Sequence, residues 1–201
     1  MNARIGLYFG SFNPIHAGHI EVAQYMKSHV PFDTVWFVPS PLNPHKSGET
    51  LIPAETRLAW VKKTIEQLPQ MECKDDEFHL SLPSFTYKSV VHFIAKYPQH
   101  KFGIIMGADN LHGFHTWQNA EELAKMAPLH VYARPGYEKP PEALPFEATW
   151  YDAPLIDISA TQIRDLLWQG QSIENLVPSQ IENNVRDFFN SKRNNPELLT
   201  N

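Results

Sequence analysis

Cysteine is nearly missing from this chain. Cys73 stands alone among 201 residues, which excludes an intramolecular disulfide framework and a CxxC-type zinc site. Long apolar runs are missing too: none approaches the roughly 18 residues of a membrane span, so no membrane partner is expected. Positive charge is in short supply. The formal charge of -5 argues against broad electrostatic binding of nucleic acid, while leaving room for a small basic pocket. No internal repeat or low-complexity segment is evident. The first strand pattern begins almost at Met1 and leaves no space for a signal peptide, so the expected location is cytoplasmic.

What is present is an ordinary globular composition, 42% hydrophobic and 19% charged, at a length that suits one domain with a substantial core. Strand and helix patterns alternate, the sequence form of an α/β, doubly wound (Rossmann-like) parallel sheet. Arg4-Ile5-Gly6-Leu7-Tyr8-Phe9 is apolar at nearly every position, as in a strand covered on both faces. Thr34-Val35-Trp36-Phe37-Val38-Pro39, Phe102-Gly103-Ile104-Ile105-Met106 and Leu129-His130-Val131-Tyr132-Ala133 read as three more strands. A helix is predicted over residues 53–68, with Pro53 in its first turn and Leu58, Val61, Ile65 and Leu68 as its apolar stripe. Another is predicted over residues 85–97, with Val90, Val91, Ile94 and Tyr97 inward. Two capping boxes, Ser159-Ala160-Thr161-Gln162 and Ser179-Gln180-Ile181-Glu182, open the last two helices, and Gly170 suits the end of the first of these. Residues 136–145 read as a proline-rich surface loop, residues 1–191 as the domain, and residues 192–201 as a polar, frayed tail.

Chemistry concentrates where the first strand meets the first helix. Gly10-Ser11-Phe12-Asn13-Pro14 suits a tight loop, and His16-Ala17-Gly18-His19 opens a helical pattern. Histidines three apart stand side by side at a helix start, where backbone N–H groups favour an anion. Gly18 leaves no side chain between them, and the site reads as one for phosphate chemistry. Asp109 and Trp117 lie at and beyond the end of the third of these strands, one able to accept from a ribose hydroxyl or support a metal, the other flat enough to stack an aromatic ring. A second HxxH pair, His112 and His115, lacks a third ligand and reads as loop. Cys73 reads as a buried or strand residue with no nucleophilic use.

The run from Gly10 through His19, placed after the first strand and before the first helix, resembles the signature of the HxGH nucleotidyltransferase superfamily. Ile158-Ser159-Ala160-Thr161-Gln162-Ile163-Arg164 is similar to that superfamily's ISSTxIR element, with Ala160 replacing a serine and removing one hydroxyl. Asn43-Pro44-His45-Lys46 resembles its proline-histidine-lysine element. Gly107-Ala108-Asp109-Asn110-Leu111 with Trp117 resembles the GADxL…W element of bacterial nicotinate-mononucleotide adenylyltransferases, and Ser84-Phe85-Thr86-Tyr87 resembles their SYTxxT region. The resemblance implies adenylyl transfer from ATP to nicotinate mononucleotide, giving deamido-NAD and pyrophosphate, with magnesium carried mainly by the ATP phosphates. It further implies His16 and His19 as the catalytic pair, and Gly10, Ser11, Phe12, Lys46, Ser159, Thr161 and Arg164 with them around ATP. Ser84, Phe85, Thr86, Gly107, Asp109, Trp117 and Arg134 would hold the mononucleotide, with Arg57 in support. Two alternatives stay open: another enzyme of the superfamily (nicotinamide mononucleotide, phosphopantetheine or cytidylyl type), or a non-catalytic nucleotide-binding domain. The sequence does not fix an oligomeric state.

Overall fold

The computed structural model describes residues 2–44, 52–139, 144, 146–154 and 157–194. Six parallel strands build one sheet: β1 (Arg4–Gly10), β2 (Thr34–Pro39), β3 (Met71–Cys73), β4 (Lys101–Gly107), β5 (Leu129–Tyr132) and β6 (Ala148–Tyr151), in the spatial order 3-2-1-4-5-6. β1 is central, with Ile5 level with Thr34 on one side and Phe102 on the other. The strand order reverses between β1 and β4, and open α/β sheets bind ligands beyond the carboxyl ends of the strands at that point.

Alternating side chains divide the core between the two sheet faces. Tyr8, Val35, Phe37, Ile105 and Tyr132 pack against α1 (Ala17–His29), α2 (Ala54–Ile65), α6 (Ala160–Trp168) and α7 (Ser179–Asn194). Ile5, Leu7, Trp36, Val38, Ile104, Met106 and Val131 pack against α3 (Thr86–Lys96), α4 (Ala108–Gly113) and α5 (Ala120–Met126). Both faces of the central strands are therefore dry, which is why they read as continuous apolar runs. Two 3-10 turns, Asp76–His79 and Phe114–Thr116, precede α3 and follow α4. No helix among the described residues is long and apolar enough to cross a membrane.

Several expectations need correcting. Val91, expected inward on α3, is 41% exposed; Val90 and Phe93 take the buried face. Ser179 is the first helical residue of α7 and not its cap, because the Ile181 N–H already donates to Pro178 O (3.0 Å) in a running turn. That helix continues through Asn194, into the stretch read as frayed; residues 195–201 lie outside the described ones. His112 is helical and His115 sits in a 3-10 turn, so neither is in an irregular loop. Gly170 follows α6 with φ +71°, a left-handed conformation that closes the helix as expected.

Candidate active site

β1 delivers Gly10 to the sheet's carboxyl edge, and the loop after it turns back on itself to start α1 at His16. Phe12 takes a left-handed φ of +45° in that turn, uncommon for a bulky side chain. Its ring is wedged against Tyr8, Phe37 and His19 at centroid separations of 5.8, 5.6 and 5.0 Å, contacts that hold the strained residue in place. The expected histidine pair forms: the rings of His16 and His19 lie 3.6 Å apart, inclined by 33°. His16 N–H donates to His19 Nδ1 (3.1 Å), so a neutral His19 keeps its proton on Nε2. His16 is buried, and burial, helped by the positive charge of Arg134, pulls its pKa down to about 3.

Across the same cleft, Ser159 caps α6 by accepting from Gln162 N–H (3.1 Å). Arg164, one turn on, donates to Asn13 O (2.9 Å) and Thr161 Oγ1 (3.2 Å), tying the start of α6 to the loop after β1. Phe85 caps α3, which puts residues 84–86 at a third helix start. Three helices of nine or more residues, α1, α3 and α6, therefore open onto one cleft with their amide ends. The second strand pair contributes Asp109 and Arg134, 3.7 Å apart at the ends of β4 and β5. A Cβ at Gly107 would collide with Asp109 Oδ1, so a larger residue there would displace the Asp109 carboxylate. Trp117 sits on the wall with its ring tilted 50° against Phe114.

The cleft holds about 550 Å³ and brings together Gly10, Ser11, Phe12, His16, His19, Ser84, Phe85, Thr86, Gly107, Asp109, Trp117, Arg134, Ser159, Thr161 and Arg164. Every candidate except Lys46 and the supporting Arg57 therefore meets at a single place. Lys46 lies outside the described residues. Arg57 lies elsewhere: it is buried beneath the loops and donates to the carbonyl oxygens of Ile52, Ser11, Ser40 and Pro41. Sequence reasoning passed over Tyr8, Asn13, Met106 and Tyr132, which also line the cleft. Tyr8 and Tyr132 face each other on its floor, hydroxyls 3.4 Å apart, and burial raises both phenol pKa values. Alternation along β1 and β5 was the available signal for this pair, which points to the opposite sheet face from Leu7 and Val131.

Buried polar atoms without a hydrogen-bond partner gather here. Ser11 Oγ, Asn13 Nδ2, His16 Nδ1, Ser84 Oγ and Asp109 Oδ1 are five of eight such atoms among the described residues, and all belong to cleft-lining side chains. An orphaned buried polar group costs about 1–3 kcal/mol, so a concentration of them marks a surface made for a polar ligand. No group of three or more His, Cys, Asp or Glu side chains able to hold a metal occurs among the described residues.

Comparison with known proteins gives the same answer from a different direction. The profile described as cytidylyltransferase-like matches residues 7–166. A probable nicotinate-nucleotide adenylyltransferase of Cytophaga hutchinsonii is 40% identical over 89% of this chain and 93% of its own length. One from Flavobacterium johnsoniae, described in the same words, is 37% identical over 89% of this chain and 93% of its own. Among solved structures, the nicotinic acid mononucleotide adenylyltransferase of Plasmodium falciparum complexed with NaAD superposes with a TM-score of 0.75 at 20% identity, covering 92% of this chain and 98% of that one. At that identity the likeness speaks for the fold.

Proposed function

Since the chain belongs to the cytidylyltransferase-like family, among the nicotinate-nucleotide adenylyltransferases of NAD biosynthesis, we propose that its cleft, at the strand-order reversal, divides ATP and nicotinate mononucleotide between the helices of the two sheet faces. The observation that carries this division is the stacked His16–His19 pair facing Ser159, Thr161 and Arg164 across one cleft, with residues 84–86 and Trp117 on its far side. ATP lies over the starts of α1 and α6. The mononucleotide lies between the start of α3 and the Asp109–Trp117 wall.

A phosphate oxygen of the mononucleotide attacks the ATP α-phosphorus in line. The new P–O bond forms as the α–β bridging P–O bond breaks, and pyrophosphate carries the electron pair away. The attacking phosphate is already ionised at neutral pH, so no side chain needs to take a proton. Catalysis rests on positioning and on donors fixed where charge develops. His19 Nε2–H and the His16 ring supply such donors at the α-phosphoryl oxygens, and Arg164 neutralises the triphosphate. Magnesium carried by the ATP phosphates would supply charge that shields the leaving pyrophosphate. Trp117 stacks on the pyridine ring, and amides of residues 84–86 meet its carboxylate. Lys46 is assigned to the triphosphate on its sequence match alone.

Pyrophosphate release measured with ATP against nicotinate mononucleotide, nicotinamide mononucleotide and phosphopantetheine tests the assignment. Nicotinate mononucleotide should be used best, because a carboxylate accepts a charge-assisted bond from an amide and the NH₂ of the carboxamide cannot. Equal or better use of nicotinamide mononucleotide would overturn the specificity, and release with phosphopantetheine alone would overturn the whole reading.

A further inference from the structure

Glu77 belongs to neither substrate's lining, yet it is one of the most deeply buried charged residues, at 2% exposure. It sits in the 3-10 turn Asp76–His79, just before the segment that starts α3. Ser89 Oγ, on the first turns of α3, donates to Glu77 Oε1 at 2.6 Å. The hydroxyls of Ser40 and Ser84 face the same carboxyl. Glu77 Oε2 and Ser84 Oγ are both buried and neither has a hydrogen-bond partner. Burying a carboxyl so completely costs several kcal/mol unless it is hydrogen-bonded, so a plain structural position would be filled more cheaply by an apolar side chain.

The three serines come from three different places. Ser40 follows β2, donates its N–H to Gly10 O (2.9 Å), and has its carbonyl held by Arg57 (2.8 Å). Ser84 starts the segment before α3 and donates its N–H to Leu42 O (2.9 Å). Ser89 belongs to α3 itself. Residues 40–42 are thus a seam: one edge is bonded to the loop of the histidine pair, the other to residues 84–86. On the histidine side the seam is pinned by the cationic Arg57, which does not touch Ser84. On the other side the buried carboxyl beside Ser40 and Ser84 is that of Glu77.

We propose that Glu77 is a positioning residue for the second substrate: its buried carboxyl anchors Ser89 on the first turns of α3 and so fixes where the amides of residues 84–86 lie. The inference rests on the assignment of those residues to the mononucleotide. Burial raises the pKa of this carboxyl, against the pull of the three hydroxyls, and a protonated carboxyl can donate to one serine while accepting from others. Glutamine has the same shape and keeps both a donor and an acceptor, so Glu77→Gln should preserve the tie. Glu77→Ala removes it.

The test is steady-state kinetics with each substrate varied in turn, on wild type, Glu77→Ala, Glu77→Gln and, as a control, Trp117→Ala. Glu77→Ala is expected to raise the KM for nicotinate mononucleotide at least tenfold while that for ATP moves less than threefold. Glu77→Gln should return both to near wild type. A residue that only held the fold together would disturb both substrates alike, and the glutamine would be no special remedy. Should the alanine variant fail to fold, Ser89→Ala, which removes the 2.6 Å bond, should show the same split at smaller size. If Trp117→Ala raises the mononucleotide KM but the Glu77 and Ser89 variants raise neither KM, or both equally, the positioning role is wrong and the subsite stands. If Trp117→Ala leaves the mononucleotide KM unchanged as well, the subsite assignment is wrong and the inference falls with it.

Discussion

His16 is neutral in the free protein because its ring is buried beside a guanidinium, and that has two separable consequences. The first is catalytic. Removing one preorganised donor to a developing oxyanion costs on the order of 3 kcal/mol, so His16→Ala should lower kcat about a hundredfold or more in a protein that still melts cooperatively. The second concerns stability against pH. In the unfolded chain His16 has an ordinary pKa near 6.5, whereas in the fold it is pulled down to about 3. Between those values the unfolded state binds a proton that the folded state does not, so stability falls as pH drops below about 6.5. At pH 5 this single residue costs the fold about 2 kcal/mol, and at pH 8 almost nothing. Wild type should therefore lose more stability between pH 8 and pH 5 than His16→Ala, a difference that paired denaturation curves would read directly. His130, also lowered by burial to about 4, acts in the same sense in both proteins and cancels from the comparison.

Elements differ in how they announced themselves. β1, β2, β4 and β5 were legible because burial on both faces leaves an unbroken apolar run, and α2 because three of its four stripe positions are fully inward. β3 and β6 were not: three and four residues at the sheet edges, half exposed, carry no period to read. Val91 was misplaced because adjacent helix positions lie about 100° apart, and the pattern does not say on which side of Val90 the buried face of α3 ends. In the cleft, sequence matching found the residues that interrupt an element, such as the histidines at the start of α1. It passed over Tyr8 and Tyr132, which look like any other strand residues, and Glu77, whose partners are distant in sequence. α2 also presents Arg57, whose pKa burial lowers to about 10, leaving it cationic at neutral pH. It holds four carbonyls from three loop segments that carry no helix or strand of their own at those points. Arg57→Met should destabilise the protein by at least about 3 kcal/mol, since hydrogen bonds to a buried charge are each worth roughly 1.5–3. A urea midpoint within experimental error of wild type would show that water or neighbouring donors replace it.

At the scale of the whole molecule, the proposed function gives the cleft two halves, one formed by helices of each sheet face, that should report on different substrates. A non-hydrolysable ATP analogue should slow amide exchange at the starts of α1 and α6, and nicotinate mononucleotide should slow it over residues 84–89 and 107–117. Hydrogen exchange of the free protein and of each binary complex would check this. Uniform protection by either ligand alone would mean that the halves do not act separately.

The bond from Arg164 to Asn13 joins positions 151 residues apart. A chain leaving the ribosome makes the histidine pair and its strand early. The arginine that closes the other side of the cleft is made only after most of the sheet, and closing so long a loop is intrinsically slow. A chain cut before Arg164 therefore lacks the group that joins α6 to the loop after β1, and the cleft is complete only once all six strands have been made.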